Sequence, residues 1–298
     1  MWKLAVRDKR EDWSLNVTWY DLNVEEKGFY GWFHHKGCGR WCRESCPVVR
    51  HHLARIEQDV PLFWPEAIFG EPVKRRKVFF LGVNPGCSDD IEDDEAVCPN
   101  QRADAGLDEQ SYVNRHLQWF LEPDRRKHSD CITKAALWLA LRFRNVEFDP
   151  SCRPSVAYGS APFELAVRQG ALAGLVELNM LHCKSPDAEW GPTDPVWNAC
   201  GRKTLEMIAY WSPPVVVAFG RHIDEWLQYV SKHSGEYGPW TLEEHGKQDG
   251  IQDRTLVSQT AGKSARFLIA RHPSRNQYDR NHADRILELL HGIPGLQL

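Results

Sequence analysis

Four short apolar runs punctuate an otherwise polar chain: Lys77–Val83, Leu175–Leu181, Val215–Phe219 and Arg266–Ala270. Each is rich in Val, Leu, Ile or Phe, with little alternation of apolar and polar positions. A strand with one wet face would alternate, so these runs predict strands covered on both faces, as in a parallel sheet between helices. The segments between them carry a helical period. "CITKAALWLALRFR" (Cys131–Arg144) is apolar nearly all round and predicts a buried helix, and Trp197–Trp211, Arg221–Lys232 and Asn281–Leu290 continue the pattern. Strands alternating with helices imply right-handed crossovers. The expected fold class is therefore α/β, a three-layer α/β/α sandwich with a short central parallel sheet. Sites in such sheets gather beyond the carboxyl ends of the strands.

The chain of 298 residues is 42% hydrophobic, which is enough to bury a substantial core. Residues 1–37 form an aromatic-rich N-terminal extension with no assignable structure, and residues 38–298 read as one domain. A polar insertion near 87–130 interrupts that domain. It contains "DDIEDDE", which reads as a solvated loop, with cation binding as the alternative. No apolar run approaches the roughly 20 residues that cross a membrane. The N-terminus is charged from its third residue and lacks an apolar signal core. The expectation is a soluble intracellular, cytoplasmic protein with no membrane partner.

A net charge of −4 provides no global basic field for nucleic acid. A local basic stripe does exist, with Lys263, Arg266, Arg271, Arg275, Arg280 and Arg285, and it reads equally well as a DNA-facing surface or a solvated face. Nine cysteines is many for a reducing compartment, where clustered thiols bind metal more often than they pair.

Three of the four apolar runs end in a small polar set. The first ends in Gly82-Val83-Asn84-Pro85-Gly86, the second carries Asn179, and the fourth runs into His272-Pro273-Ser274. A phosphate-binding loop would need further glycine and a Lys-Ser/Thr, and a dinucleotide site would need G-x-G-x-x-G; neither is present. Each element alone has a bland reading, as a turn, a strand-end cap or a surface histidine. Together, in this order at strand ends, they are far more specific.

At these positions the sequence resembles the uracil-DNA glycosylase superfamily. "GVNPG" is similar to its first motif in the mismatch-specific and single-strand-selective branches. "HPSRN" resembles its second motif, and Asn179 falls where the superfamily has a base-reading asparagine. The resemblance extends from roughly Cys38 to the C-terminus. Within it, "NMLHCKSPDAEWGPTDPVWNACGRKTLEMIAYWSPPVVVAFGRHIDEWL" looks like the corresponding stretch of the iron–sulfur family 4 branch, with Cys183 and Cys200 on its two downstream ligand positions. Upstream, "CGRWCRESCPVVR" resembles that branch's C-x-x-C-P. Cys46 precedes Pro47 as the pattern requires, while Cys42 lies one residue further back than it does, and Cys38 is an alternate.

The resemblance implies a [4Fe–4S] cluster held by Cys42, Cys46, Cys183 and Cys200. A structural zinc on the same thiolates and unligated buried thiols are the alternatives. Cys87, Cys98, Cys131 and Cys152 read as ordinary thiols, with Cys98 a possible recruit if the insertion folds back.

The resemblance also implies a chemistry and a partner, DNA. A glycosylase rotates the nucleotide into a pocket and splits the N-glycosidic bond, so the base leaves as an anion. His272 would donate to the developing oxyanion, and Asn84 would hold water beneath the sugar through its amide oxygen. Asn179 would pair with the Watson–Crick edge, because a side-chain amide is both donor and acceptor. Gly82 and Val83 would line the base site, with Tyr112 as an aromatic platform. Pro273 and Ser274 would press on phosphates, Arg275 would fill the gap in the duplex, and Arg271 and Lys263 would contact the DNA backbone. Family 4 has a carboxylate where this chain has Val83. The expected substrate is uracil or a related modified pyrimidine. A hypermodified base in phage DNA, or a non-catalytic DNA-binding role, is the alternative.

Overall fold

The structure is a computed structural model that describes residues 78–83, 131–147, 175–179, 201–202, 204–205, 208, 212–233, 239–259, 262–273 and 278–296. In chain order the elements are β1 (Val78–Gly82), α1 (Cys131–Phe143), β2 (Leu175–Asn179), β3 (Val215–Phe219), α2 (Arg221–Lys232), β4 (Trp240–Gln248), β5 (Ile251–Ser258), β6 (Lys263–Ala270) and α3 (Arg280–His291). Helical residues at Gly201–Arg202, Thr204–Leu205 and Ile208 fall inside the predicted Trp197–Trp211 helix.

All four apolar runs are strands, and they pair side by side in parallel. β1 lies between β2 and β3, and β6 follows β3. β1 and β3 are buried at every position, as the lack of alternation predicts. The sheet is nevertheless mixed. It has six strands in the order β2-β1-β3-β6-β5-β4, and the last two run antiparallel. This corrects the expectation of a purely parallel sheet. The polar stretch 240–258 is a hairpin, turned at Asp249 (φ 51°) and Gly250 (φ 83°). Two consecutive left-handed residues make a type I′ turn, whose twist matches that of the flanking strands.

Alternation across the sheet separates two apolar sets. Val78, Phe80, Val215, Val217, Phe219, Leu268 and Ala270 form one core with Trp138 and Leu139 of α1 and with Ala283, Ile286 and Leu290 of α3. Phe79, Leu81, Val216, Ala218, Phe267 and Ile269 point the other way and are equally buried. On that second face Arg254, the register partner of Phe267, donates from Nε to Asp224 Oδ1 at 3.0 Å. Asp224 belongs to α2, so α2 covers this face with Ile223, Trp226, Leu227 and Val230 buried. Gln228 satisfies the second oxygen of Asp224 at 2.9 Å. A buried pair with both partners further hydrogen-bonded escapes the penalty of stranded charge.

α1 follows β1 on one face, while α2 follows β3 on the other. The strand order 2-1-3 then makes the crevice between the carboxyl ends of β1 and β3 a topological switch point, the place where open α/β sheets hold ligands.

Candidate functional site

The carboxyl ends of the four parallel strands lie along one edge of the sheet. Gly82 and Asn179 are register partners, so the first motif and the strand-end asparagine emerge side by side. On the other side of β1, the chain leaving β3 passes through Gly220, whose N–H donates to the Ala270 carbonyl at 2.9 Å. Gly220 has φ 107° and ψ 146° and caps the N-terminus of α2. A Cβ placed on it would lie 3.7 Å from Val83 Cγ2 and 3.8 Å from His272 Cδ2. Residues from the ends of β1, β3 and β6 therefore meet at the switch point, where Val83 is half-buried, His272 half-buried and Pro273 buried.

A second layer supports His272 from below. Tyr278 packs edge-on against Phe219, the last residue of β3, with ring centroids 6.0 Å apart, and against His282 at 5.5 Å. His282 is 4% exposed. Its Nε2 accepts the N–H of Arg271 at 3.2 Å, immediately before His272, and its Nδ1 lies 3.2 Å from the Asp249 carbonyl. Asp279 caps α3 by accepting the N–H of His282 at 2.9 Å. Burial, and then the nearby Arg271 charge, push the His282 pKa below its usual 6.5. The Asp249 carbonyl and the Asp279 and Asp249 carboxylates oppose this more weakly. The hairpin turn closes over the same place, since a Cβ on Gly250 would meet the Arg271 guanidinium at 2.7 Å. A cavity of about 810 Å³ opens here, lined by Asp249, Arg271, Asp279, His282 and Arg285 among others.

No protein-family model matches the chain, and a search of curated proteins returns no match. The candidate site thus stands on its own geometry.

Of the residues singled out in the sequence, Gly82, Val83, the backbone of Asn179, Arg271, His272 and Pro273 come together at this edge. Lys263 does not. It begins β6, seven residues before Ala270, so by strand rise it lies roughly 23 Å away at the opposite end of the sheet. Asn84, Tyr112, Ser274, Arg275, Cys38, Cys42, Cys46, Cys183 and Cys200 lie outside the described residues, as do residues 1–37 and the acidic insertion.

Three arginines of the basic stripe are paired with acids. Arg266 forms a two-point pair with Asp253, with Nε–Oδ1 at 2.9 Å; Arg280 faces Asp284 at 3.7 Å; Arg285 pairs with Asp249 at 3.3 Å and with Glu288. Arg271 is the stripe residue that stays exposed beside the site.

Among the described residues no group of three or more His, Cys, Asp or Glu could hold a metal. One side chain does bear on the expected cluster. The Trp226 indole Nε1–H is buried with no acceptor among the described residues, and it presses on Gly201 so closely that a Cβ there would come within 2.6 Å of it. Gly201 directly follows Cys200. A desolvated N–H needs an explanation, and a thiolate or sulfide acceptor nearby would supply one. Among the described residues no helix is long and apolar enough to cross a membrane.

Gly220, His282 and the Asp249-Gly250 turn were not singled out in the sequence. Asp-Gly is the strongest short-range hairpin signature and was available to find the turn.

Proposed function

We propose that the protein is a DNA glycosylase that hydrolyses the N-glycosidic bond of uracil or a related modified pyrimidine flipped out of DNA. The observation carrying this reading is the convergence of Val83, Gly220 and His272 at the switch point, with Gly82 and Asn179 in register beside them. These residues come from four strands and share no local sequence reason to meet. The α/β fold is read further as a three-layer α/β/α sandwich, supported by α1 and α3 on one face and α2 on the other.

In this reading His272 donates to the carbonyl oxygen of the base as it leaves as an anion. A donor fixed by the fold needs no reorganisation at that moment and is worth about 3 kcal/mol. Asn84 orients the water that attacks the sugar carbon. Asn179 reads the base edge, and Gly220, without a side chain, keeps a Cβ out of the space beside Val83 and His272. Cys42, Cys46, Cys183 and Cys200 would hold a [4Fe–4S] group, with Trp226 as a hydrogen-bond donor toward it. That group would supply a structural staple between the chain before β1 and the chain after β2.

Val83 favours a second reading of the substrate. An apolar side chain stands on the same side of Gly220 as His272, where family 4 has a carboxylate, so a bulkier modified base, as in phage DNA, competes with uracil. The test is incubation with a uracil-containing oligonucleotide followed by alkali, alongside phage DNA carrying modified bases. Strand scission at uracil supports the first substrate, and base release only from modified DNA supports the second. No abasic sites on any DNA, with binding retained, would instead indicate a non-catalytic DNA-binding protein.

A further inference from the structure

His282 sits where one donor and one acceptor fix its protonation by geometry alone. The Arg271 N–H points at Nε2 from 3.2 Å, and a ring nitrogen that accepts cannot carry a proton. The Asp249 carbonyl faces Nδ1 from 3.2 Å, and a carbonyl can only accept, so Nδ1 carries the proton. The ring is thus a neutral Nδ1–H imidazole joining three elements: the β4–β5 turn, the end of β6 and the first turn of α3. It is 4% exposed, with Tyr278 packed edge-on against it at 5.5 Å.

We propose that His282 is the positioning residue for His272, holding the backbone at Arg271 so that the strand-end histidine faces Val83 and Gly220, and that its protonation releases this hold and silences the site in acid. A doubly protonated ring would present an N–H to the Arg271 N–H, two donors with no acceptor between them. The ring or the strand end must then move. His272 is the next residue along, and a misplacement of about 1 Å in a reacting group can cost on the order of 100-fold in rate.

The charged groups around the ring come from each element packed on it: Arg271 from β6, Asp249 from the turn, and Asp279, Asp284, Arg285 and Glu288 from the α3 segment. Burial, and after it the Arg271 cation, oppose protonation, while Asp249 and Asp279 favour it more weakly. The switch therefore lies on the acid side of the ordinary histidine range and leaves the site intact at neutral pH.

This inference rests on the glycosylase reading for its activity readout but not for its structural one. The full chain, labelled with ¹⁵N, is followed by NMR between about pH 8 and pH 5. The expected result is an Nδ1–H tautomer at His282 in neutral solution, with the Arg271 amide shift moving in step with the ring as it titrates below 6.5. Single-turnover base release is then measured over the same range. The wild type loses activity with that titration. His282→Gln, whose amide oxygen still accepts the Arg271 N–H but does not titrate, keeps its rate in acid. His282→Ala loses about 10- to 100-fold in kcat at all pH values, with DNA affinity unchanged.

An Nε2–H tautomer, an Arg271 amide that ignores the ring, or the same acid loss in His282→Gln as in the wild type would overturn the proposal. If the wild type releases no base from any DNA, the glycosylase reading fails, while the NMR result still decides whether His282 positions the strand end.

Discussion

Gly220 shows how much one residue can constrain the candidate site. Its φ of 107° and ψ of 146° fall in a region that only glycine enters readily. The space around it is not tight, because a Cβ would make only ordinary contacts with Val83 and His272. Gly220→Ala should therefore destabilise the fold through backbone strain rather than collision, by about 1–3 kcal/mol, measurable by urea denaturation.

His282 adds a pH dependence of opposite sign to that of a paired histidine. Its native pKa lies below 6.5, so the unfolded chain binds its proton first as pH falls. Its contribution is intact above 6.5 and is lost as pH drops from there through the native value. Thermal stability of the wild type should fall across that window, and His282→Gln should flatten the change. Residues at this scale differ in how legible they are. Gly82, Asn179 and His272 could be read because each sits at the end of an apolar run. His282 could not, since its partners are a backbone N–H and a carbonyl 33 residues away, and backbone groups leave no trace in sequence.

Among the elements, the four parallel strands and the helices α1, α2 and α3 follow from period and apolarity. The β4–β5 hairpin does not. β4 is an edge strand, exposed along most of its length and bearing Glu243, Glu244, His245 and Lys247. Such charge is how edge strands avoid pairing with other chains, and it also removes the apolar pattern that would reveal them. β5 is held instead by Arg254, a buried cation that reads in sequence as a surface residue until Asp224 is placed beside it.

Asp224→Ala should cost about 3 kcal/mol, at the low end for breaking a buried pair, because Glu244 still reaches Arg254 at 2.9 Å. Chemical denaturation of the variant, compared with an Asp224→Ala/Arg254→Met double variant that recovers part of the loss, would check this.

At the level of the molecule, sheet order joins features that the sequence leaves apart. The order 2-1-3 sets β1 and β3 winding to opposite faces, and the adjacency of these strands brings Val83 close to Gly220. Strand order depends on crossovers, which apolar runs do not encode. The pairing of the basic stripe is hidden from the sequence for a related reason. Its residues are spaced along two elements whose acidic neighbours Asp253, Asp284 and Glu288 neutralise them in space, and Lys263 stands at the far end of the sheet.

The expected cluster has a direct consequence for the whole protein. Anaerobic purification should give brown protein with iron and sulfide in near-equal amounts, and Trp226→Phe should shift its reduction potential by removing an N–H donor. Colourless protein with stoichiometric zinc would contradict the cluster.

The central claim is that the switch-point edge of the sheet excises a base. The measurement that addresses it most directly is mass spectrometry of bases released from a panel of uracil-containing and modified DNAs by the wild type and by His272→Ala. The account predicts release of one base class by the wild type and a loss of about 100-fold in kcat for His272→Ala, with DNA affinity retained. Release unaffected by His272→Ala, or equal losses of rate and affinity, would contradict it.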